Sequence, residues 1–216
     1  MSGLGLKGII FDLDGTLVDS LRDIATAVNL TRHDYGLPSL PESEITRLIG
    51  DGAATLVRQT VPVASDQPGA PLQRYLSHYR DHVLDSTVLF PGIDRLLERV
   101  SHVPLGVVTN KTAALAETIL RGLDVRQRFD IVLGGDSLPA RKPDPEPILH
   151  LVNRWHLQPH EVGLVGDGLH DVEAGKAAGV VILGVTWGVA GREALSRAGA
   201  KYLLNTVAEL EDLLLS

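Results

Sequence analysis

A chain of 216 residues, 44% apolar and 22% charged, can bury a sizeable core as one large domain or a core with an appendage, since single domains run to roughly 100–150 residues. Its formal net charge of −7 disfavours nucleic acid, whose binding draws on clustered Lys and Arg, and the absence of cysteine excludes disulfides, thiolate nucleophiles and cysteine metal sites. No apolar stretch reaches the ~20 residues that span a bilayer, and no basic segment leads into an apolar core at the N-terminus, so no membrane partner and a cytoplasmic location are expected.

In chain order, LKGIIF before Asp12 reads as a first buried strand. From residue 21 to residue 88 the pattern is helical only: DSLRDIATAVNLTRHDYG, ESEITRLIG, ATLVRQTV and LQRYLSHYRDHVLDS, separated by PSLP, DGA and PVASDQPGAP. GIDRLLERV then leads back to PLGVVT, a strand ending at Asn110. TAALAETILRGL carries Leu115, Ile119 and Leu123 at four-residue spacing, a helix with Gly122 near its stop. DIVLGG, VGLV and VVILGV are further strands, ending at Asp136, Gly166 and Thr186, and DPEPILHLVNRWHL and DVEAGKAAG are the helices between them. Near-continuous apolarity marks strands covered on both faces, so the fold class is α/β, a doubly wound parallel sheet made from residues 1–20 and 89–216. Residues 21–88 form an inserted all-helical cap, and an insert leaving the first strand at its carboxyl end overhangs the ligand site of such sheets.

Asp12 and Asp14 stand two positions apart where the first strand ends, on one face of an extended segment. Two such carboxylates repel, and one pKa rises, unless a cation lies between or beside them. A divalent ion is therefore implied, and with oxygen donors only it is a hard one, with Mg²⁺ the usual choice. Asp19 alone reads as the cap of the helix that follows, but the pair does not, because Gly15 turns the chain and both acids precede the helix.

The run Asp12, Asp14, Gly15, Thr16 and Leu17, then Thr109 with Asn110, Lys142 in RKPDPEP, and Gly166–Asp167 with Asp171 follow one another at separate strand ends. In this the chain resembles the haloacid dehalogenase superfamily in its phosphatase branch. The resemblance implies that Asp12 is a nucleophile forming an aspartyl-phosphate and that Asp14 protonates the leaving alcohol. It also implies that Thr109, Asn110 and Lys142 bind the phosphoryl group, that Asp12, Asp14 and Asp167 hold Mg²⁺, and that Gly15, Thr16 and Asp171 support the site. Gly168 stands where relatives often carry Ser or Thr, and His170 where Asn is common. An acid at position 14 argues against dehalogenation, which has no leaving alcohol to protonate.

Within that branch FDLDGTLVDS, IGDGAATLV, VVTNK, GGDSLPARKPDPEP and GVTWG resemble phosphatases of phosphoglycolate. The implied partner is a small phosphorylated metabolite, 2-phosphoglycolate first, with pyrophosphate, a nucleoside monophosphate or a sugar phosphate as rivals. A non-catalytic phosphate-sensing module of the same fold is the reading from another class. Gly50, Asp51 and Gly52 form the expected substrate loop of the cap, either contacting a small anion through bare backbone N–H groups or serving as a plain turn. Arg47 and Arg58 flank that loop, and Tyr75 and Tyr79 read as packing. Either a monomer or a homodimer is compatible with the sequence.

Overall fold

The computed structural model describes residues 4–62 and 69–216; most of the expected linker PVASDQPGAP falls outside them. The chain runs from β1 (Gly8–Phe11) through a tight turn to β2 (Val18–Asp19), then into α1 (Leu21–Asp34), α2 (Glu42–Thr46), α3 (Ala53–Thr60) and α4 (Ala70–His82), and returns through β3 (Val88–Leu89). From there α5 (Ile93–Arg99), β4 (Leu105–Val108), α6 (Ala113–Gly122), β5 (Ile131–Leu133), α7 (Glu146–Arg154), β6 (Val162–Gly166), α8 (Leu169–Ala178), β7 (Val181–Val185), α9 (Gly191–Ala198), β8 (Tyr202–Leu204) and α10 (Val207–Leu215) complete it. Six strands form one sheet in the order β5-β4-β1-β6-β7-β8, and every pairing in it is parallel.

The apolar runs explain the layering. Within β1, Ile9 and Phe11 join one hydrophobic cluster and Ile10 another, as the two-residue period of a strand requires. The second face is covered by Ile148, Leu151 and Val152 of α7 and Ala174 and Ala178 of α8. The first packs on Leu96 and Leu97 of α5, Ile119 and Leu120 of α6, and Leu210 of α10. Each fully buried side chain of this kind stabilises the fold by roughly 1.5–3 kcal/mol relative to exposure. Gly106 is needed for this fit, because a Cβ there would overlap Leu151 and touch Trp155.

After β1 the chain first builds outward through β4 and β5, then reverses to build β6, β7 and β8 on the other side. The reversal leaves a crevice at the carboxyl end of β1, between its two neighbours. Helices α1 to α4 follow this edge in the chain. Their contact is led by α1 against α4, where Ala27 and Val28 meet a layer containing Tyr75, Tyr79 and Val83.

Entry to the insert differs from expectation in two ways. A small antiparallel ladder, Val18 with Leu89 and Asp19 with Val88, pairs the outgoing and returning chain. Asp19 is exposed in that ladder and does not cap α1; Ser20 occupies the cap position, and its hydroxyl donates to the Asp14 carboxylate instead. Just inside, buried Asp23 of α1 accepts hydrogen bonds from the backbone N–H and hydroxyl groups of both Ser86 and Thr87. Burial alone would raise its pKa, but these donors outweigh it and hold the carboxyl below its ordinary range.

Candidate active site

The motif residues gather at the carboxyl edge of the sheet because each follows a strand or sits in the loop beyond one, except Asp171, which lies in the first turn of α8. Asp12 follows β1, Thr109 follows β4, Lys142 lies in the loop after β5, and Asp167 follows β6. The β1 turn is closed by Leu13, whose carbonyl accepts N–H groups from Thr16, Leu17 and Val18. Gly15 adopts φ +81°, and a Cβ at that position would collide with the Asp167 carboxylate. The first and fourth motifs therefore touch at a place only glycine can occupy.

Lys142 is 3% exposed, and its Nζ lies 2.9 Å from Asp12 Oδ1 and 2.6 Å from Asp171 Oδ1. Burial alone would lower the lysine pKa; the charges of Asp12 and Asp171 outweigh it and raise the value, so the ammonium is retained. Asp171 also accepts the Gly168 N–H at 2.9 Å, so it caps α8 and holds Lys142 at once. The departure at Gly168 leaves that support intact, since only a backbone donor is used. Asp167 accepts from the Thr16 hydroxyl at 2.8 Å and the Val189 N–H at 2.7 Å, and a Cβ on Gly188 would collide with it.

Asp12, Asp167 and Asp171 bring carboxylate oxygens within 4.8 Å of one another. Burial, then the charge of Asp171, pushes Asp12 up to about 6 against the pull of Lys142. Burial, then Asp12 and Asp171, pushes Asp167 up to about 7 against its two hydrogen-bond donors. One lysine thus does not neutralise three acids. Asp12 Oδ1 is buried without a well-aligned hydrogen bond, although Lys142 stands close. An under-neutralised set of hard oxygen donors fits a divalent metal ion, and these three carboxylates can hold one. The Asp14 carboxylate, expected among the ligands, points elsewhere: it meets Ser20 Oγ and lies 3.1 Å from Lys111 Nζ.

Thr109 is buried, and its hydroxyl oxygen accepts the Lys111 N–H, leaving its own proton to donate. The Asn110 side-chain amide donates to the carbonyls of Gly50 and Lys142, both at 2.9 Å. The expected substrate loop is therefore docked on the core, and a second contact reinforces it, because His170 Nε2 hydrogen-bonds Asp51. Gly52 caps α3 from a left-handed φ of +80°. A cavity of about 570 Å³ separates loop and core. Asp12, Asp14, Thr109, Asn110, Lys142 and Asp167 line its floor, while Leu56 of α3, Tyr79 of α4, and Leu48 and Ile49 of the turn between α2 and α3 overhang it. Arg47 is exposed at this cavity, whereas Arg58 is exposed and bonds Thr55.

Sequence reasoning passed over Lys111 and the polar end of Tyr79. Tyr79 does pack, stacking on Tyr75, but its hydroxyl also accepts from Lys111 Nζ, which sits 4.2 Å from the ring centroid. The available signal was a lysine directly after the second motif, in VVTNK.

A parallel sheet with acids and a lysine along its carboxyl edge, overhung by helices, is the arrangement of an α/β enzyme that works at a strand-end crevice. The chain belongs to the haloacid dehalogenase-like hydrolases, whose family model matches residues 9–185. A phosphoglycolate phosphatase of Chromobacterium violaceum is 39% identical to it over 97% of this chain and 96% of that protein. One from Nitrosospira multiformis is 38% identical over 86% and 85%. A crystal structure of a predicted phosphoglycolate phosphatase from Haemophilus somnus superimposes with a TM-score of 0.92 at 29% identity, covering 97% of this chain and 98% of that one.

Proposed function

We propose that the protein is a Mg²⁺-dependent phosphatase of a small phosphomonoester, with 2-phosphoglycolate, the substrate in its relatives' names, as the leading candidate. The observation that carries this reading is the division of labour between two neighbouring acids. Asp12 belongs to the acidic cluster beside Lys142, while Asp14 stands outside it and opens on the cavity. In this reading one attacks and the other moves a proton.

In this reading an Asp12 oxygen attacks phosphorus, the Asp12–phosphorus bond forms, and the bond from phosphorus to the ester oxygen breaks. Asp14 gives its proton to the departing alkoxide. Water then attacks the aspartyl-phosphate, losing a proton to Asp14, and free phosphate leaves with Asp12 regenerated. Lys142 and the Thr109 hydroxyl stabilise charge on the phosphoryl oxygens, and Asp171 keeps Lys142 aimed. A bound Mg²⁺, held by Asp12 and Asp167 with Asp171 behind them, would supply further neutralisation of those oxygens. The helices of residues 21–88 act as the lid, with Gly50, Asp51 and Gly52 as the part facing substrate. A cavity of about 570 Å³ beneath the docked loop suits a small metabolite.

The test is hydrolysis of an aryl phosphate and of a panel of natural phosphomonoesters, with Mg²⁺ and with chelator. Turnover should require the metal and vanish in Asp12→Asn, and 2-phosphoglycolate should lead the panel. Folded protein that turns over nothing with Mg²⁺ refutes the phosphatase reading; a flat panel refutes only the substrate.

A further inference from the structure

Lys111 is a nearly buried cation in the cavity to which the mechanism above gives no task. Its side chain is 6% exposed. The ammonium lies 3.1 Å from Asp14 Oδ1 and donates to the Tyr79 hydroxyl, a group from the overhanging helix α4. A lysine ammonium has three N–H donors. Two directions are used, and among the described residues no third side-chain partner is present. The residue lines the cavity, so its remaining direction opens where substrate would lie.

We infer that Lys111 is a specificity-determining residue that binds a carboxylate carried by the leaving alcohol, close to the ester oxygen. The inference rests on the phosphatase reading and deepens it. Asp14 must come within hydrogen-bond reach of the departing oxygen to protonate it. A cation one contact beyond Asp14 then faces whatever the alcohol carries on its next atoms. A carboxylate one carbon from the ester oxygen falls within that reach; a negative group at the end of a longer chain does not.

The other walls supply no equal. Lys142 is committed to Asp12 and Asp171, and the overhanging side presents Ile24, Leu48, Ile49 and Leu56. Asp51, part-exposed at the rim and bonded to His170, repels an anion. Among the described residues Arg47 is the remaining Lys or Arg of the cavity lining, and it is an exposed side chain whose ion pairs would be screened by water; His170, also in the lining, is engaged by Asp51. Tyr79 adds a second feature. Its hydroxyl pKa lies well above the ordinary value, chiefly through burial, so it stays neutral and can fix the ammonium without forming a phenolate. Because it sits on α4, the carboxylate site is completed only where the helices meet the core.

The experiment compares 2-phosphoglycolate with the phosphate ester of glycolamide, which replaces the carboxylate by a neutral amide of similar shape. Wild-type enzyme should prefer the charged ester. Lys111→Gln should reduce the ratio of kcat/KM values by roughly ten- to a hundredfold, the range for losing one charge-assisted hydrogen bond, and Lys111→Arg should restore part of it. Arg47→Gln should leave the ratio where it was. In parallel, glycolate should inhibit wild-type hydrolysis of an aryl phosphate more strongly than glycolamide, a measurement that needs no variant to fold. Equal loss on both esters in Lys111→Gln would show that Lys111 acts through Asp14 alone and overturn the inference. So would transfer of the selectivity to Arg47, or equal inhibition by glycolate and glycolamide. Failure to hydrolyse any ester with Mg²⁺ would instead refute the phosphatase reading itself.

Discussion

Asp12 and Asp167 are poised between two ways of shedding their mutual repulsion, a proton or a metal ion. Unfolded carboxyls titrate near 3.9. In the metal-free fold, burial and neighbouring acids raise Asp12 to about 6 and Asp167 to about 7. Between roughly pH 4 and pH 7 the folded state therefore binds more protons than the unfolded one, and stability from these two groups falls as pH rises through that window. Metal binding removes the penalty where the proton is gone. Thermal melts with chelator and with Mg²⁺ should thus show a larger rise in melting temperature at pH 8 than at pH 5; an equal rise at both would contradict this account. The carboxylate of the other acid of the first motif, Asp14, is turned away from this cluster toward Ser20 and Lys111.

At the level of elements, the loop before α3 is fastened to the sheet edge by two contacts from different strand ends, Asn110 to the Gly50 carbonyl and His170 to Asp51. If the second contact holds the loop over substrate, Asp51→Asn and His170→Asn should each raise KM by roughly threefold or more, and the double variant should be little worse than either single one. Strictly multiplied losses would show that the residues act separately. The six parallel strands differ in how plainly they read. LKGIIF, PLGVVT and VGLV are apolar runs that stop at a Gly or polar residue, and Asp12, Thr109 and Asp167 were visible for the same reason, standing at or just past the ends of such runs; Lys142 and Asp171 lie further along and were legible only through the resemblance. Tyr202–Leu204 offers only three residues, and the ladder of Val18–Asp19 with Val88–Leu89 has two on each side, too few for any period to register. Asp19 was misread because acid before a helix suggests a cap, whereas its neighbour Ser20 takes that position. Lys111 with Tyr79 and His170 with Asp51 join residues 32 and 119 positions apart, and no local pattern announces such pairs.

For the molecule as a whole, the tie from Asp23 to Ser86 and Thr87 matters although none of the three belongs to a motif. Asp23→Ala would strand two backbone N–H groups beside a buried void, at a cost of about 3 kcal/mol. Because the folded carboxyl titrates below its unfolded value, the stability it brings is present above about pH 4 and disappears as pH falls through the folded value. Denaturant unfolding at pH 7 should register most of the loss, and the gap between wild type and variant should narrow on acidification; a gap unchanged down to pH 3 would point to another cause. With its two ends pinned together in this way, the long helical excursion is, to the strands on either side, no more demanding than a hairpin bend. Bringing β1 and β4 into register then carries little extra entropic penalty from the residues between them, since such penalties grow only with the logarithm of length. The sheet is in effect a socket, able to accept a roof of different size or shape without any strand being re-laid.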